Sequence, residues 1–235
     1  MDKKEFLTRL FDDKNKTSLD LDSFKKKEIR EMCLDVDEYS NLNEPMNLKL
    51  IYQDIKKSKY INSFFEYSNC SSFSSRDYHK AKIVIVGTIT PWNGKGFFYT
   101  APNTKMYQII DESLGTHFDQ MKSSKELEKA LEDKGIYFLD VFQAVIRKRK
   151  SSSDDDILFG SLNYNAFEEY MNHLNNDVIV VANSDLAHQL CERILKRVNN
   201  GKHLCLLQKE VHTIFRKKLE VMVDDWKPVF KKANF

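Results

Sequence analysis

The chain has 235 residues, of which 41% are hydrophobic and 31% are charged, which is enough for one sizeable core and excludes a disordered composition. Lys and Arg number 37 against 35 Asp and Glu, so the net charge of +2 does not by itself indicate a polyanionic partner.

Residues 1–80 contain charge-rich pieces that predict helices, namely Phe6–Phe11, Phe24–Leu34 and Leu48–Phe65. Polar links separate these pieces, and the Ser-rich stretch Asn69–Asp77 is the best candidate for a linker. We therefore predict a helical N-terminal extension over residues 1–80 and a separate domain over residues 81–235.

Four short apolar runs in the rest of the chain predict parallel strands with both faces covered: Lys82–Gly87, Gly135–Val141, Asp177–Ala182 and His203–Leu207. Helical patterns lie between them at Thr104–Ser113, Ser124–Lys134 and Tyr164–Leu174. A further helix follows the candidate N-cap Ser184, presents one apolar face and stops at Gly201. This alternation predicts an α/β fold, specifically a three-layer α/β/α sandwich around a four-stranded parallel sheet.

The loop after the first predicted strand is rich in glycine and aromatic residues. In an open parallel sheet, ligands bind beyond the carboxyl ends of the strands, so the loop after Gly87 is expected to line a site. A phosphate cradle is disfavoured, because Gly94-Lys95-Gly96 leads into three aromatics and no G-x-G-x-x-G pattern is present. Three consecutive aromatics cannot all face one side of a strand. We therefore expect at least one of them to be displayed where it can stack on a planar base.

Basic residues are concentrated in two parts of the chain. One run is Arg147-Lys148-Arg149-Lys150, and Lys and Arg also outnumber Asp and Glu from Arg193 onward. Residues 151–192 carry acidic residues and no Lys or Arg. A single basic run is ordinarily solvated surface, but two of them beside an aromatic loop favour a polyanionic partner.

The cysteines and apolar runs narrow the class of protein further. The four cysteines are scattered without a C-x-x-C pair, which argues against a metal cluster and favours free thiols in a reducing compartment. The apolar runs are too short to cross a bilayer, and the first residues lack the apolar segment of a signal peptide. We therefore expect a cytoplasmic protein without membrane contact, metal or cofactor.

The loop after the first predicted strand forms a motif with the helix start that follows it, made of Gly87, Pro91, Gly96-Phe97-Phe98-Tyr99, Pro102 and Lys105-Met106-Tyr107. Two later stretches accompany this motif, GIYFLDVFQAV (Gly135–Val145) and VIVVANSDLA (Val178–Ala187). Together they resemble the uracil-DNA glycosylase superfamily, and its mismatch-specific and hypoxanthine-type branches are the most similar. Gly135–Val145 is similar to the superfamily's second core strand, whose end reads the base edge, and Val178–Ala187 is similar to the third strand and its loop. The resemblance covers about residues 80–235.

The resemblance implies a monomeric DNA glycosylase that flips a base out of DNA and cleaves its glycosidic bond. Phe97 would stack on the flipped base, and Asp140 would face the hydrogen-bonding edge of that base. The remaining implied residues are Thr90, Asn103 and His212 with Asp140 for catalysis; Gly87, Thr88, Ile89, Tyr99 and Asn183 around the base; and Lys95, Arg147, Lys148, Arg149, Lys150 and Lys209 for DNA.

Several positions depart from the superfamily pattern. Thr90 precedes Pro91, where many members have an Asp or Asn that positions the water, and the amide Asn103 is displaced by one residue. The late H-P-S or L-P-S motif is replaced by Gln208–His212. A catalytically inactive nucleic-acid-binding protein on the same fold is therefore the alternative. A different α/β hydrolase is a third, although the chain has no G-x-S-x-G nucleophile elbow.

The type of side chain at Asp140 bears on the target base. A carboxylate at a strand end can equally be a helix cap or half of an ion pair. If it reads a base, it only accepts hydrogen bonds, which favours a donating edge such as the amino group of cytosine or the N–H of hypoxanthine. Uracil presents the acceptor O4 instead. We therefore expect a modified cytosine, in foreign or phage DNA, and a role in antiviral defence.

Overall fold

The computed structural model describes residues 64–67, 78–89, 105–121, 123–147, 149–151, 153–174, 177–198, 206–208 and 217–235. Backbone contacts divide the chain into two compact units, each with its own β-sheet. In the described ranges, no helix combines the length and the apolar character that crossing a membrane requires.

The elements are numbered in chain order. They are β1 (Phe64–Tyr67), β2 (Ile83–Gly87), α1 (Lys105–Leu114), α2 (Ser124–Lys134), β3 (Ile136–Asp140), β4 (Phe142–Arg147), β5 (Ile157–Leu162), α3 (Tyr164–His173), β6 (Ile179–Ala182), α4 (Asp185–Val198), β7 (Leu206–Gln208) and α5 (Leu219–Lys232).

One unit is built on a parallel sheet with the strand order β3-β2-β6-β7. Ile83 pairs with both Ile136 and Ile179, and β7 pairs with β6 through Leu206–Gln208. Every residue of β2, β3 and β6 is buried, as expected for parallel strands that are covered on both faces. The predicted α/β class and the parallel pairing are confirmed, and the predicted strands overlap the observed ones.

The helices of this unit begin and end close to the predicted residues, and α2 has the predicted bounds. Ser184 caps α4 as predicted, because its Oγ accepts a hydrogen bond from Ala187 N at 3.2 Å. Gly135 joins α2 to β3 with a φ of 79°, a left-handed conformation that glycine adopts without steric cost. Its carbonyl accepts hydrogen bonds from Lys82 N and Ile83 N, which fixes the start of β3 beside β2.

Helix α5 was not predicted from the sequence, where only its basic residues were noted. It packs against α1, and its buried residues recur at helical spacing as Met222, Val223, Trp226 and Phe230. Lys105, at the start of α1, donates a hydrogen bond from Nζ to the carbonyl of Lys217 at 3.2 Å.

The other unit contains an antiparallel sheet with the strand order β1-β4-β5, which was not predicted. Phe64 pairs with Arg147 and Tyr67 pairs with Ala144. The helix predicted over Leu48–Phe65 is therefore wrong at its last two residues, because the backbone of Phe64 and Phe65 is paired in a sheet. The rest of that helix and the other predicted helices of residues 1–63 lie outside the described residues.

Strands β4 and β5 form an antiparallel pair with two register shifts. The Phe142 ring lies so close to Gly160 that a Cβ atom at Gly160 would meet it at 2.2 Å. The sequence prediction ended a strand at Val141 and gave no strand for the residues of β4, which follows β3 after that single residue.

Candidate functional site

The candidate site lies at the carboxyl edge of the parallel sheet, where β2, β3 and β6 end side by side. Gly87 is in register with Asp140, and Val86 is in register with Ala182. Backbone hydrogen bonds continue just beyond the strands, from Val141 N to the Gly87 carbonyl at 2.9 Å and from Asn183 N to the Val86 carbonyl at 3.0 Å. Parallel pairing thus brings together three loops that are distant in sequence.

Asp140 is the last residue of β3, and its exposed fraction is 0%. Burying a carboxyl group costs free energy unless polar neighbours compensate it. A buried Asp at the edge where parallel sheets bind ligands is therefore a candidate for a role in the site. Asp140 is in register with Gly87 at the carboxyl end of β2. Its role in reading a base edge stays a prediction.

Asn163 lies directly before α3, is 3% exposed, and was missed by the sequence analysis. Its side-chain Nδ2 donates a hydrogen bond to the Asp140 carbonyl at 3.1 Å, and its backbone N donates to the Val141 carbonyl at 2.9 Å. The sequence does show an Asn directly before a predicted helix, but an Asn at that position ordinarily indicates only an N-cap.

Two hydroxyl groups meet between the β2 and β6 loops. Thr88 Oγ1 lies 3.2 Å from Ser184 Oγ, and Thr88 is 6% exposed. Because Ser184 also caps α4, this contact links the loop after β2 to the first turn of that helix. Ile89 is buried as well, whereas Asn183 is half-buried.

The groups at this edge can recognise a polar ligand. An ionised carboxylate accepts hydrogen bonds, hydroxyl groups both donate and accept them, and the Asn183 amide does both. Among the described residues, no group of three or more His, Cys, Asp or Glu side chains could hold a metal ion.

The described residues of the basic run Arg147–Lys150, which begins at the last residue of β4, have two different environments. Arg147 is 0% exposed and donates a hydrogen bond from Nη1 to the Ser153 carbonyl at 3.0 Å. Its burial argues against the predicted contact with DNA phosphate, since a buried guanidinium does not reach a ligand at the surface, and the contact itself stays a prediction. Arg149 and Lys150 are exposed, and Arg149 Nε lies 4.0 Å from Asp156 Oδ1.

Lysines near the C terminus are partly engaged in ion pairs. Lys217 Nζ lies 2.9 Å from Asp225 Oδ2, and Lys227 Nζ lies 3.9 Å from Asp224 Oδ1. Such exposed pairs contribute little stability and exchange readily with solvent ions. Eight of the predicted site residues lie outside the described residues: Thr90, Lys95, Phe97, Tyr99, Asn103, Lys148, Lys209 and His212.

Comparison with solved structures identifies a protein of similar fold. The solution NMR structure of a "putative Uracil DNA glycosylase" from Methanosarcina acetivorans aligns with a TM-score of 0.50 and 19% sequence identity. The alignment covers 69% of this chain and 95% of that protein. No protein-family model and no curated protein sequence matches the chain. The likeness is therefore one of fold, and it agrees with the fold that the sequence motifs imply.

Proposed function

We propose that this protein is a DNA N-glycosylase that excises a modified or damaged base. The observation that carries the proposal is the buried Asp140, held in register with Gly87 at the carboxyl edge of the parallel sheet. The similar fold of the M. acetivorans protein supports the same class of activity. We further propose that residues 81–235 form a three-layer α/β/α domain interrupted by β4 and β5, and that residues 1–80 are an extension of it.

In the proposed reaction the target nucleotide leaves the DNA helix and its base enters the site. Phe97 stacks on the base, and the loop residues Thr88 and Ile89 surround it. The glycosidic bond breaks with its electron pair going to the base. A water molecule then adds its oxygen to C1′ of the cationic sugar, and the departing base takes up a proton. Catalysis by this route depends on placing Asp140, Thr90, Asn103 or His212 beside the charge that develops.

The proposed target is a base with a donating edge. A carboxylate at Asp140 would accept a hydrogen bond from the amino group of a cytosine-type base and would repel the O4 acceptor of uracil. A modified cytosine in foreign DNA is therefore our preferred substrate, and antiviral defence is the role that it suggests. We propose that the protein acts as a cytoplasmic monomer.

The first experiment is incubation with DNA duplexes and single strands that each carry one normal or modified base, followed by alkaline cleavage at abasic sites. Excision of a cytosine-type base is the expected result. Asp140→Asn should move the preference toward uracil-type bases, by about 1–3 kcal/mol in relative transition-state energy, because the amide can also donate. Tight binding without strand cleavage at any base would instead favour the inactive nucleic-acid-binding protein.

Phe97→Ala tests the stacking step separately. Loss of base–aromatic stacking should weaken binding of the flipped base by about 1–3 kcal/mol. The free energy of unfolding should stay unchanged if Phe97 is displayed at the site. A large loss of stability without a loss of excision would place Phe97 in the core and contradict the role.

DNA phosphates are the proposed ligands of Lys95, Lys148, Arg149, Lys150 and Lys209. Neutralising Arg149 and Lys150 together should weaken binding to all sequences alike. The slope of log affinity against log salt should fall by about 1 for each lost contact. An unchanged slope would identify these two side chains as solvated surface.

A further inference from the structure

We propose that Asn163 is a positioning residue that holds the backbone at Asp140, and with it the place of the Asp140 carboxyl group, and thereby sets the base selectivity of the site. The part of this inference that concerns selectivity rests on the proposed glycosylase function. The part that concerns the Asp140 geometry rests on the hydrogen bonds of Asn163 alone.

Asn163 contacts the end of β3 at two successive residues. Its Nδ2 donates to the Asp140 carbonyl at 3.1 Å, and its backbone N donates to the Val141 carbonyl at 2.9 Å. On the other side, Val141 N donates to the Gly87 carbonyl at 2.9 Å. The backbone at Asp140 and Val141 is therefore held both by β2 and by the residue before α3.

This support matters because β3 lies at an edge of the parallel sheet formed by the described strands, with the order β3-β2-β6-β7. An edge strand has backbone groups on one side that no neighbouring strand satisfies. The Asn163 side chain binds one of them, the carbonyl of Asp140 itself. This hydrogen bond adds to the pairing by which β2 holds the end of β3.

The use that Asn163 makes of its amide differs from that of the other residues at helix starts. Ser123 Oγ accepts from Glu126 N at 3.4 Å, and Ser184 Oγ accepts from Ala187 N at 3.2 Å, so both serines cap their own helices. Asn163 precedes α3 at the equivalent position and makes no side-chain cap. A cap contributes about 1 kcal/mol to stability, so directing the side chain to Asp140 forgoes that contribution.

The consequence for recognition follows from geometry. A side chain that reads a base edge must hold its oxygen atoms at hydrogen-bond distance and angle. A shift of about 1 Å at such a residue reduces a rate by about 100-fold. Asn163 binds the main-chain carbonyl of Asp140. Losing the Nδ2 donor therefore loosens the backbone there and lets the attached carboxylate shift.

The test compares Asn163→Asp with Asn163→Ala and with the control Asn165→Ala. The Asp variant has nearly the same shape but replaces the Nδ2 donor by an oxygen, and Asn165 is exposed on the same helix. Steady-state excision of a cytosine-type and a uracil-type base gives kcat and KM for each. We expect both Asn163 variants to lower kcat on the preferred base by about 10–100-fold. The ratio of kcat/KM between the two base types should fall, while binding to undamaged DNA should be unchanged.

A second measurement does not depend on activity. The ¹³C chemical shift of the Asp140 carboxyl carbon should change in Asn163→Ala, which adds no charge, and should be unchanged in Asn165→Ala. If wild-type protein excises no base, the proposed function fails, and this NMR comparison still decides whether Asn163 positions Asp140. An unchanged Asp140 signal in folded Asn163→Ala would overturn the inference. Equal losses on both base types would also overturn it, since they would indicate a general structural defect.

Discussion

Two buried charged residues, Asp140 and Arg147, end consecutive strands in different sheets, and both have an exposed fraction of 0%. Arg147 ends β4 in the antiparallel sheet and binds the Ser153 carbonyl, which belongs to the connection between β4 and β5. Asp140 ends β3 in the parallel sheet, beside Gly87 and close to the loops after β2 and β6.

The contrast shows that burial of a charge does not by itself mark a functional residue. The Arg147 guanidinium donates to a carbonyl of the nearby connection between β4 and β5, which is a contact that supports the local fold. Asp140 lies at the edge where parallel sheets bind ligands, and its backbone is held by Asn163 from another part of the chain. The position of a buried charge in the topology therefore carries more information about function than the charge itself.

The largest expected effect concerns how β3 is held at its start. Gly135→Ala should lower the free energy of unfolding by about 4 kcal/mol, because a Cβ would lie 2.5 Å from the Lys80 carbonyl oxygen and the residue has a positive φ. Gly115→Ala is the matched control. Gly115 also has a positive φ, of 64°, but a Cβ there would meet nothing within 4 Å, so about 1 kcal/mol is expected. Equal losses of unfolding free energy for the two variants, measured by urea denaturation, would show that the neighbours of Gly135 shift to make room for the Cβ atom.

The second prediction tests whether Arg147 is structural. Arg147→Met should lower the free energy of unfolding by about 3 kcal/mol, because it removes a buried charged donor and leaves the Ser153 carbonyl without that hydrogen bond. The rate constant for base excision, measured per folded molecule, should be unchanged. Lys150→Met removes an exposed charge from the same run and should change stability by less than about 0.5 kcal/mol. A loss of DNA binding by stable Arg147→Met would restore the phosphate-binding role for Arg147.

The third prediction concerns the hydroxyl groups of Thr88 and Ser184, which meet between the loops after β2 and β6. Ser184→Ala should lower stability by about 1 kcal/mol because α4 loses its cap, and it should also reduce excision several-fold because Thr88 loses its contact. Ser123→Ala removes the comparable cap of α2, where the hydrogen bond from Glu126 N to Ser123 Oγ is longer, at 3.4 Å. It should reduce stability by a similar or smaller amount without affecting excision. Equal effects of the two variants on excision would exclude a role for the Thr88–Ser184 contact.

The smallest effect on stability is expected for the exposed ion pair of Glu192 and Lys196. This pair is the reference against which the buried charges Asp140 and Arg147 are compared. The hydrogen bond from Lys196, and then its charge, lower the pKa of Glu192 from its usual 4.5, with the two side chains 3.0 Å apart. A lowered folded pKa stabilises the protein above the unfolded pKa, and this contribution disappears as pH falls through the folded value. In Lys196→Ala, the ¹³C titration of Glu192 should move back toward 4.5. No change would show that Lys196 is solvated instead of paired.

The sequence determined the parallel sheet and most of the helices, because these depend on local pattern. Short, wholly apolar runs indicate strands covered on both faces, and helical periodicity with a candidate cap at Ser184 indicated the helix after β6. The resemblance of Gly135–Val145 to the superfamily's second core strand named Asp140 as a site residue, and Asp140 does end a strand at the carboxyl edge of the sheet.

Only the tertiary structure decided the features that depend on pairing between distant segments. The antiparallel sheet joins β1 to β4 across a long stretch of chain, and Arg147 reads as surface until its burial is known. Asn163 reads as an ordinary helix cap, and only the folded chain brings its amide to Asp140. The physical reason is the same in each case. Local propensity fixes the backbone of a segment, but hydrogen-bond partners and burial are fixed by residues that the sequence does not place nearby.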